Sequence, residues 1–142
     1  MALILRKGRS QRKMIEQVED ERCKYMHGQP KLNVEQQFRL LLGMLRKDFP
    51  PDYPVRVRRL PLATTGPKAC QGMCGVSNND KPKAERYFSI WIRKSDPWVV
   101  QRDTLIHEWA HALTWFQLGE GKDHGDIFAR KYGVLYRAYI ED

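Results

Sequence analysis

Residues 87–115 read YFSIWIRKSDPWVVQRDTLIHEWAHALTW, and two different periodicities meet within them. Tyr87 to Arg93 gathers aromatic and β-branched residues into a short run, which predicts a strand. From about Val99 to Gln117 the spacing becomes helical, with Ile106, Trp109, Ala110 and Leu113 forming an apolar stripe. A strand, a short connection and a helix that buries one side are therefore expected here.

Upstream of this unit, Asn78 to Ala84 is rich in Asn, Asp, Lys and Pro and reads as a turn. Cys70 to Val76 is a weaker strand candidate that contains two glycines. Val55, Val57 and Arg59 alternate with Arg56, Arg58 and Leu60, an imperfect period of two. Before them, Asn33 reads as the N-cap of a helix running to about Lys47, with Phe38, Leu41, Leu42 and Leu45 at helical spacing. Phe49-Pro50-Pro51 closes it, because proline cannot continue a helix. Mixed charge around Met14, Ile15, Val18 and Cys23 suggests another helix from about Ser10 to His27, ended by Gly28 and Pro30. Downstream, a last helix is expected from about Gly125 to Tyr139. Helices, then strands, then helices predict an α+β fold with a small, antiparallel three-stranded sheet packed against the 99–117 helix.

The chain has 142 residues, of which 42% are hydrophobic and 30% charged, so a single globular domain over 1–142 is expected. Nothing approaches the roughly 18 consecutive apolar residues of a membrane span, which predicts no membrane partner. The opening MALILRKGRS holds only Ala2 to Leu5 as an apolar run, too short for an export signal. Three cysteines cannot all pair and are read as reduced thiols, which places the expected compartment in the cytoplasm. Lys and Arg number 25 against 17 Asp and Glu, a net charge of +8. Such a balance fits contact with DNA or another polyanion through a basic surface, and it also fits simple solubility. The candidate basic features are the head over residues 1–13, with Arg6, Lys7, Arg9, Arg12 and Lys13, and the trio Arg56, Arg58 and Arg59. DNA association would move the expected location to the nucleoid or nucleus.

The chemistry-bearing residues are His107-Glu108-Trp109-Ala110-His111. At about 100° per residue, His107 and His111 lie about 40° apart, one turn above the other, so two imidazoles can reach one metal ion. Glu108 lies about 60° from His111, placed to serve a water rather than the metal itself. This is the arrangement a zinc peptidase requires, in which the metal acidifies a water and a carboxylate takes its proton. A chance pair of surface histidines is the competing reading, but neither Trp109 nor Ala110 puts a charge between the two histidines and the helix carries its own burial stripe. Catalytic zinc takes three protein ligands and keeps one position open. The sequence holds four histidines, and His124, at the junction with the last helix, is the leading third ligand. Asp123 and Asp126 are competing oxygen ligands.

HEWAHALTW followed by His124-Gly125-Asp126-Ile127-Phe128 resembles the SprT-like metallopeptidase family, including its Spartan branch. That family carries HExxH on one helix and takes its third zinc ligand from a downstream HGxxF. The resemblance implies a zincin-like core in which His107, His111 and His124 bind zinc and Glu108 is the general base. It covers roughly Leu41 to Arg137, with the specific motifs in the last forty residues. It implies hydrolysis of peptide bonds in a protein substrate, with DNA-associated proteins as candidate substrates. Metzincin spacing fits less well, since Thr114 and Gln117 stand where glycine and histidine would be needed. A gluzincin glutamate would have to come from Glu141, and an aspzincin reading with Asp126 leaves His124 without a role.

Cys70 and Cys74, with Cys23 and His27, offer the residue types of a second, structural zinc site, although ordinary burial of small thiols explains them more simply. Trp91, Trp98, Trp109 and Trp115 read as core, as do Tyr132 and Tyr136, which follow Phe128 at helical spacing. An oxyanion-stabilising tyrosine or arginine is compatible with the chemistry, but no residue is assigned to it. A different class of function remains in view: a basic nucleic-acid-binding or interaction module whose zinc is structural or vestigial. A third possibility is a peptidase directed at proteins unrelated to DNA.

Overall fold

The computed structural model describes residues 32–117 and 124–140. The helix expected over 10–27, the basic head over 1–13, Cys23, His27, Asp123 and Glu141 lie outside those residues. In chain order the described elements are α1 (Val34–Asp48), β1 (Val55–Leu60), β2 (Gly72–Ser77), β3 (Tyr87–Arg93), α2 (Trp98–Thr114) and α3 (Asp126–Tyr139). A single 3-10 turn at Lys83–Glu85 sits between β2 and β3. The class is α+β, with three helices and one three-stranded sheet among the described residues.

Local chemistry accounts for the element boundaries. Asn33 Oδ1 accepts from the Gln36 N–H at 2.8 Å, and Gln36 Oε1 accepts from the Asn33 N–H at 2.9 Å. This reciprocal cap satisfies two of the free donors at the start of α1 and contributes about 1 kcal/mol. The buried face of α1 is Phe38, Leu41, Met44 and Leu45, while Leu42 sits at its margin.

The sheet is mixed, which corrects the expectation of an antiparallel one. Its order is β1-β3-β2, and β3 runs parallel to β1 but antiparallel to β2. The reason lies in β3, whose Phe88, Ile90 and Ile92 are all 0% exposed. Burying each such side chain contributes about 1.5–3 kcal/mol, so the most apolar strand takes the centre, with both of its edges paired. The chain therefore carries β2 to the far edge before β3 enters between its two predecessors, an arrangement that sequence order does not reveal.

One face of β3 packs inward, and the other carries Tyr87, Ser89 and Trp91. The β1 register sets Arg56 beside Ser89 and Arg58 beside Trp91, and both arginines are exposed. The arginine trio is thus divided. Arg59 turns to the opposite face, where its Nε donates to Gln101 Oε1 at 2.9 Å and its guanidinium pairs with Glu35.

Helix α2 packs on β2 and β3, and α3 packs on α2. Gln101, only 2% exposed, donates to the carbonyls of Lys94 and Asp96 at 3.1 and 2.7 Å and so fixes the β3–α2 connection. Trp109 is fully buried, and its Nε1–H donates to the Phe49 carbonyl at 2.8 Å, tying the middle of α2 to the end of α1. No helix among the described residues is long and apolar enough to cross a membrane.

Candidate metal centre

Two consecutive turns of α2 project His107 and His111 from one face, and His124 stands just before α3, whose N-cap is Gly125. The three Nε2 atoms form a triangle with edges of 3.2 Å (His107–His111), 3.0 Å (His111–His124) and 3.3 Å (His107–His124). The spacing fits a metal ion. Tetrahedral coordination at the 2.0–2.1 Å of a zinc–imidazole bond separates donor nitrogens by about 3.3 Å. Hydrogen bonding among the imidazoles does not explain such a triangle. Each Nε2 presents either one proton or one lone pair, so of three mutually adjacent atoms at least two are alike and repel. A cation at the centre satisfies three lone pairs together.

Phe128, in the first turn of α3 and 6% exposed, touches all three imidazoles. Its ring centroid lies 5.0 Å from His107, 4.3 Å from His111 and 5.0 Å from His124, stacked on His111 and edge-on to the other two. Fixing the rings by packing lowers the entropy lost when they converge on a ligand. Burial pushes the His107 imidazole below its ordinary pKa, and the neighbouring His124 pushes it in the same direction. Both effects favour the neutral imidazole, the form that ligates.

Glu108 stays outside the histidine cluster and is 7% exposed. Among the described residues no hydrogen bond or ion pair reaches its carboxyl group, and burial pushes the group up to about 7. Glu108 and His107 form part of the wall of a cleft of about 440 Å³, which Thr104, Tyr132 and the start of β2 at Gln71 and Gly72 help to close. A carboxyl group poised near neutrality beside an open cleft has the properties of a general acid–base.

Gly72 makes this close approach possible. A Cβ at that position would lie 2.5 Å from Thr104 Cγ2 and 2.8 Å from the Trp91 carbonyl oxygen, with Glu108 Cγ at 3.4 Å. Only glycine lets the edge strand lie this near α2 at the level of Glu108.

The structure thus brings together His107, His111 and His124 with Glu108 beside them, whereas Asp126 stands outside the cluster. Cys70 and Cys74 are free, half-buried thiols, and Cys70 Sγ donates to the Gly72 carbonyl at 2.9 Å. Sequence reasoning passed over Asp103, took Tyr132 for core and Gly72 for part of a weak strand, and all three line the cleft. Asp103 was detectable, since it precedes His107 by one helical turn on the same face. Tyr132 carries no such signal: its ring lies 5.6 Å from that of His107, so it forms cleft wall as well as core. Comparison with protein-family models, curated proteins and solved structures finds no match to this chain.

Proposed function

We propose that this protein is a zinc-dependent peptidase of the SprT-like type with a zincin-like core, in which His107, His111 and His124 hold the ion. The observation that carries the reading is three Nε2 atoms within 3.3 Å of one another beside a buried carboxyl group that opens into a cleft. Zinc in such a site supplies Lewis acidity, polarising a carbonyl and lowering the pKa of water. Glu108 takes the proton of the attacking water and returns it to the leaving amine. Phe128 holds the three imidazole ring planes in place. Gly72 lets the strand edge come up to the cleft, where an extended peptide backbone can lie alongside it.

The substrate in this reading is a polypeptide. Proteins associated with DNA are the proposed class, with recruitment through Arg56, Arg58 and the remaining basic surface of a +8 chain. The same sheet face favours a second reading, a nucleic-acid-binding module with a structural zinc, because exposed Arg58 lies beside Trp91, which is 37% exposed. The two readings separate in one experiment. With zinc-loaded protein and unfolded casein as substrate, the peptidase reading expects cleavage that Glu108→Gln abolishes while zinc content stays the same. Equal cleavage by both proteins, or none by either, contradicts it.

A further inference from the structure

Besides the ligand His107, three side chains bring a hydrogen-bond donor to the wall of the cleft: Gln71, Thr104 and Tyr132. Neither lysine nor arginine lines it. The Thr104 hydroxyl is already engaged, since it donates to the Val100 carbonyl at 2.8 Å. Gln71 is exposed at the start of the edge strand. The Tyr132 hydroxyl has no hydrogen-bond partner among the described residues, although its side chain is half-buried. Packing fixes its ring. The ring centroid lies 5.6 Å from that of His107, at an interplanar angle of 70°. It stacks on Phe128 at 5.9 Å and meets Tyr136 at 6.0 Å. The fold therefore holds one unengaged hydroxyl on a fixed ring, against a histidine of the cluster and facing the same cleft as Glu108.

We propose that Tyr132 is the oxyanion donor of this site, its hydroxyl hydrogen-bonding the carbonyl oxygen of the scissile peptide as negative charge builds there. The proposal rests on the peptidase reading and adds to it a residue from α3. As water attacks the carbonyl carbon, the π pair of the C=O bond moves onto oxygen and Glu108 takes the water's proton. Tyr132 keeps its own proton throughout and acts only as a donor. When the C–N bond breaks, the pair on oxygen re-forms the carbonyl and the proton on Glu108 passes to the departing amine. A donor already in place gains strength as the oxygen becomes an anion, so its effect falls on the chemical step and spares ground-state binding. A tyrosine that only packs would be replaced by phenylalanine without effect on that step.

The test compares zinc-loaded wild type with Tyr132→Phe, which keeps the ring and removes only the hydroxyl. Zinc content and thermal midpoint are expected to stay at wild-type values. A quenched fluorogenic peptide taken from casein gives kcat and KM. Calorimetry gives the affinity for a phosphinic analogue of the same peptide, whose tetrahedral anion imitates the attacked carbonyl. For Tyr132→Phe the expected results are a roughly hundredfold fall in kcat and a KM within about threefold of wild type. Phosphinate affinity is expected to fall roughly tenfold or more. An unchanged kcat, or a loss confined to KM, overturns the assignment and leaves the peptidase reading standing. No cleavage by the wild type overturns the peptidase reading, and phosphinate binding then decides for Tyr132. A tenfold loss on removal of the hydroxyl sustains its contact with the anion, and equal binding by the two proteins overturns it.

Discussion

Replacing Glu108 by glutamine separates the cost of burying a carboxylate from its use in catalysis. Burial raises the folded-state pKa from the ordinary 4.5 to about 7. The folded protein therefore binds this proton more tightly than the unfolded chain does. The protonated group imposes no penalty below pH 4.5; the penalty grows as pH rises from 4.5 and is complete above 7. A shift of about 2.5 units at about 1.4 kcal/mol per unit gives roughly 3 kcal/mol, an upper limit because water in the cleft screens the charge. Glutamine keeps the shape and never ionises. In protein stripped of metal by EDTA, Glu108→Gln is expected to match wild type at pH 4.5 and to exceed it by up to about 3 kcal/mol at pH 8. With urea slopes of roughly 1–3 kcal/mol/M, the unfolding midpoint moves up by roughly 1–3 M. Adding zinc to the wild type at pH 8 removes most of the difference, because a nearby cation favours the carboxylate. Equal stability of the two proteins at pH 8 without metal, or a difference that does not change with pH, would refute the assignment of a buried, charge-penalised Glu108.

Three other outcomes follow from the packing. Gly72→Ala forces a Cβ to within 2.5 Å of Thr104 Cγ2 and is expected to cost about 1–3 kcal/mol in thermal or urea unfolding. The same substitution displaces Glu108, so casein cleavage falls more than zinc content does. Burial, with a further contribution from Glu108, pushes the Cys74 thiol up to about 12, leaving about one part in ten thousand as thiolate at pH 8. Iodoacetamide at pH 8 is therefore expected to spare Cys74 in the native protein and to label it in urea, as peptide mapping would show. Trp109→Phe removes the donor to the Phe49 carbonyl and leaves a void in a fully buried site. It is expected to lower stability by about 2–4 kcal/mol.

The sequence carried the local half of this structure. Asn33 and Gln36 are a capping box in letters as much as in space, and the YFSIWIR run is a strand at its stated ends. His107 and His111 were legible for the same reason, because helical geometry alone brings residues four apart together. His124 was legible as a choice among few candidates, and its meeting with the other two depends on how α3 packs on α2. What stayed hidden is non-local. The parallel pairing of β1 with β3 depends on which strand wins the centre of the sheet, a competition in burial rather than a pattern in any one segment. Strand alternation puts Arg59 with Val55 and Val57, so its parting from Arg56 and Arg58 was legible, but its partners Gln101 and Glu35 were not. Gly72 read as a weakness in a strand and proved to be the contact that brings the sheet edge to Glu108.

The central claim is that His107 and His111 on α2 and His124, just before α3, form one open metal site served by a carboxylate that is not a ligand. Zinc per chain, measured by elemental analysis on dialysed protein, tests it most directly when wild type, His124→Ala and Glu108→Gln are compared. The account predicts one zinc in the wild type and one in Glu108→Gln. For His124→Ala it predicts an affinity loss exceeding the roughly 10–100-fold that follows removal of a second-shell partner. Zinc absent from the wild type, or held equally well without His124, would contradict it.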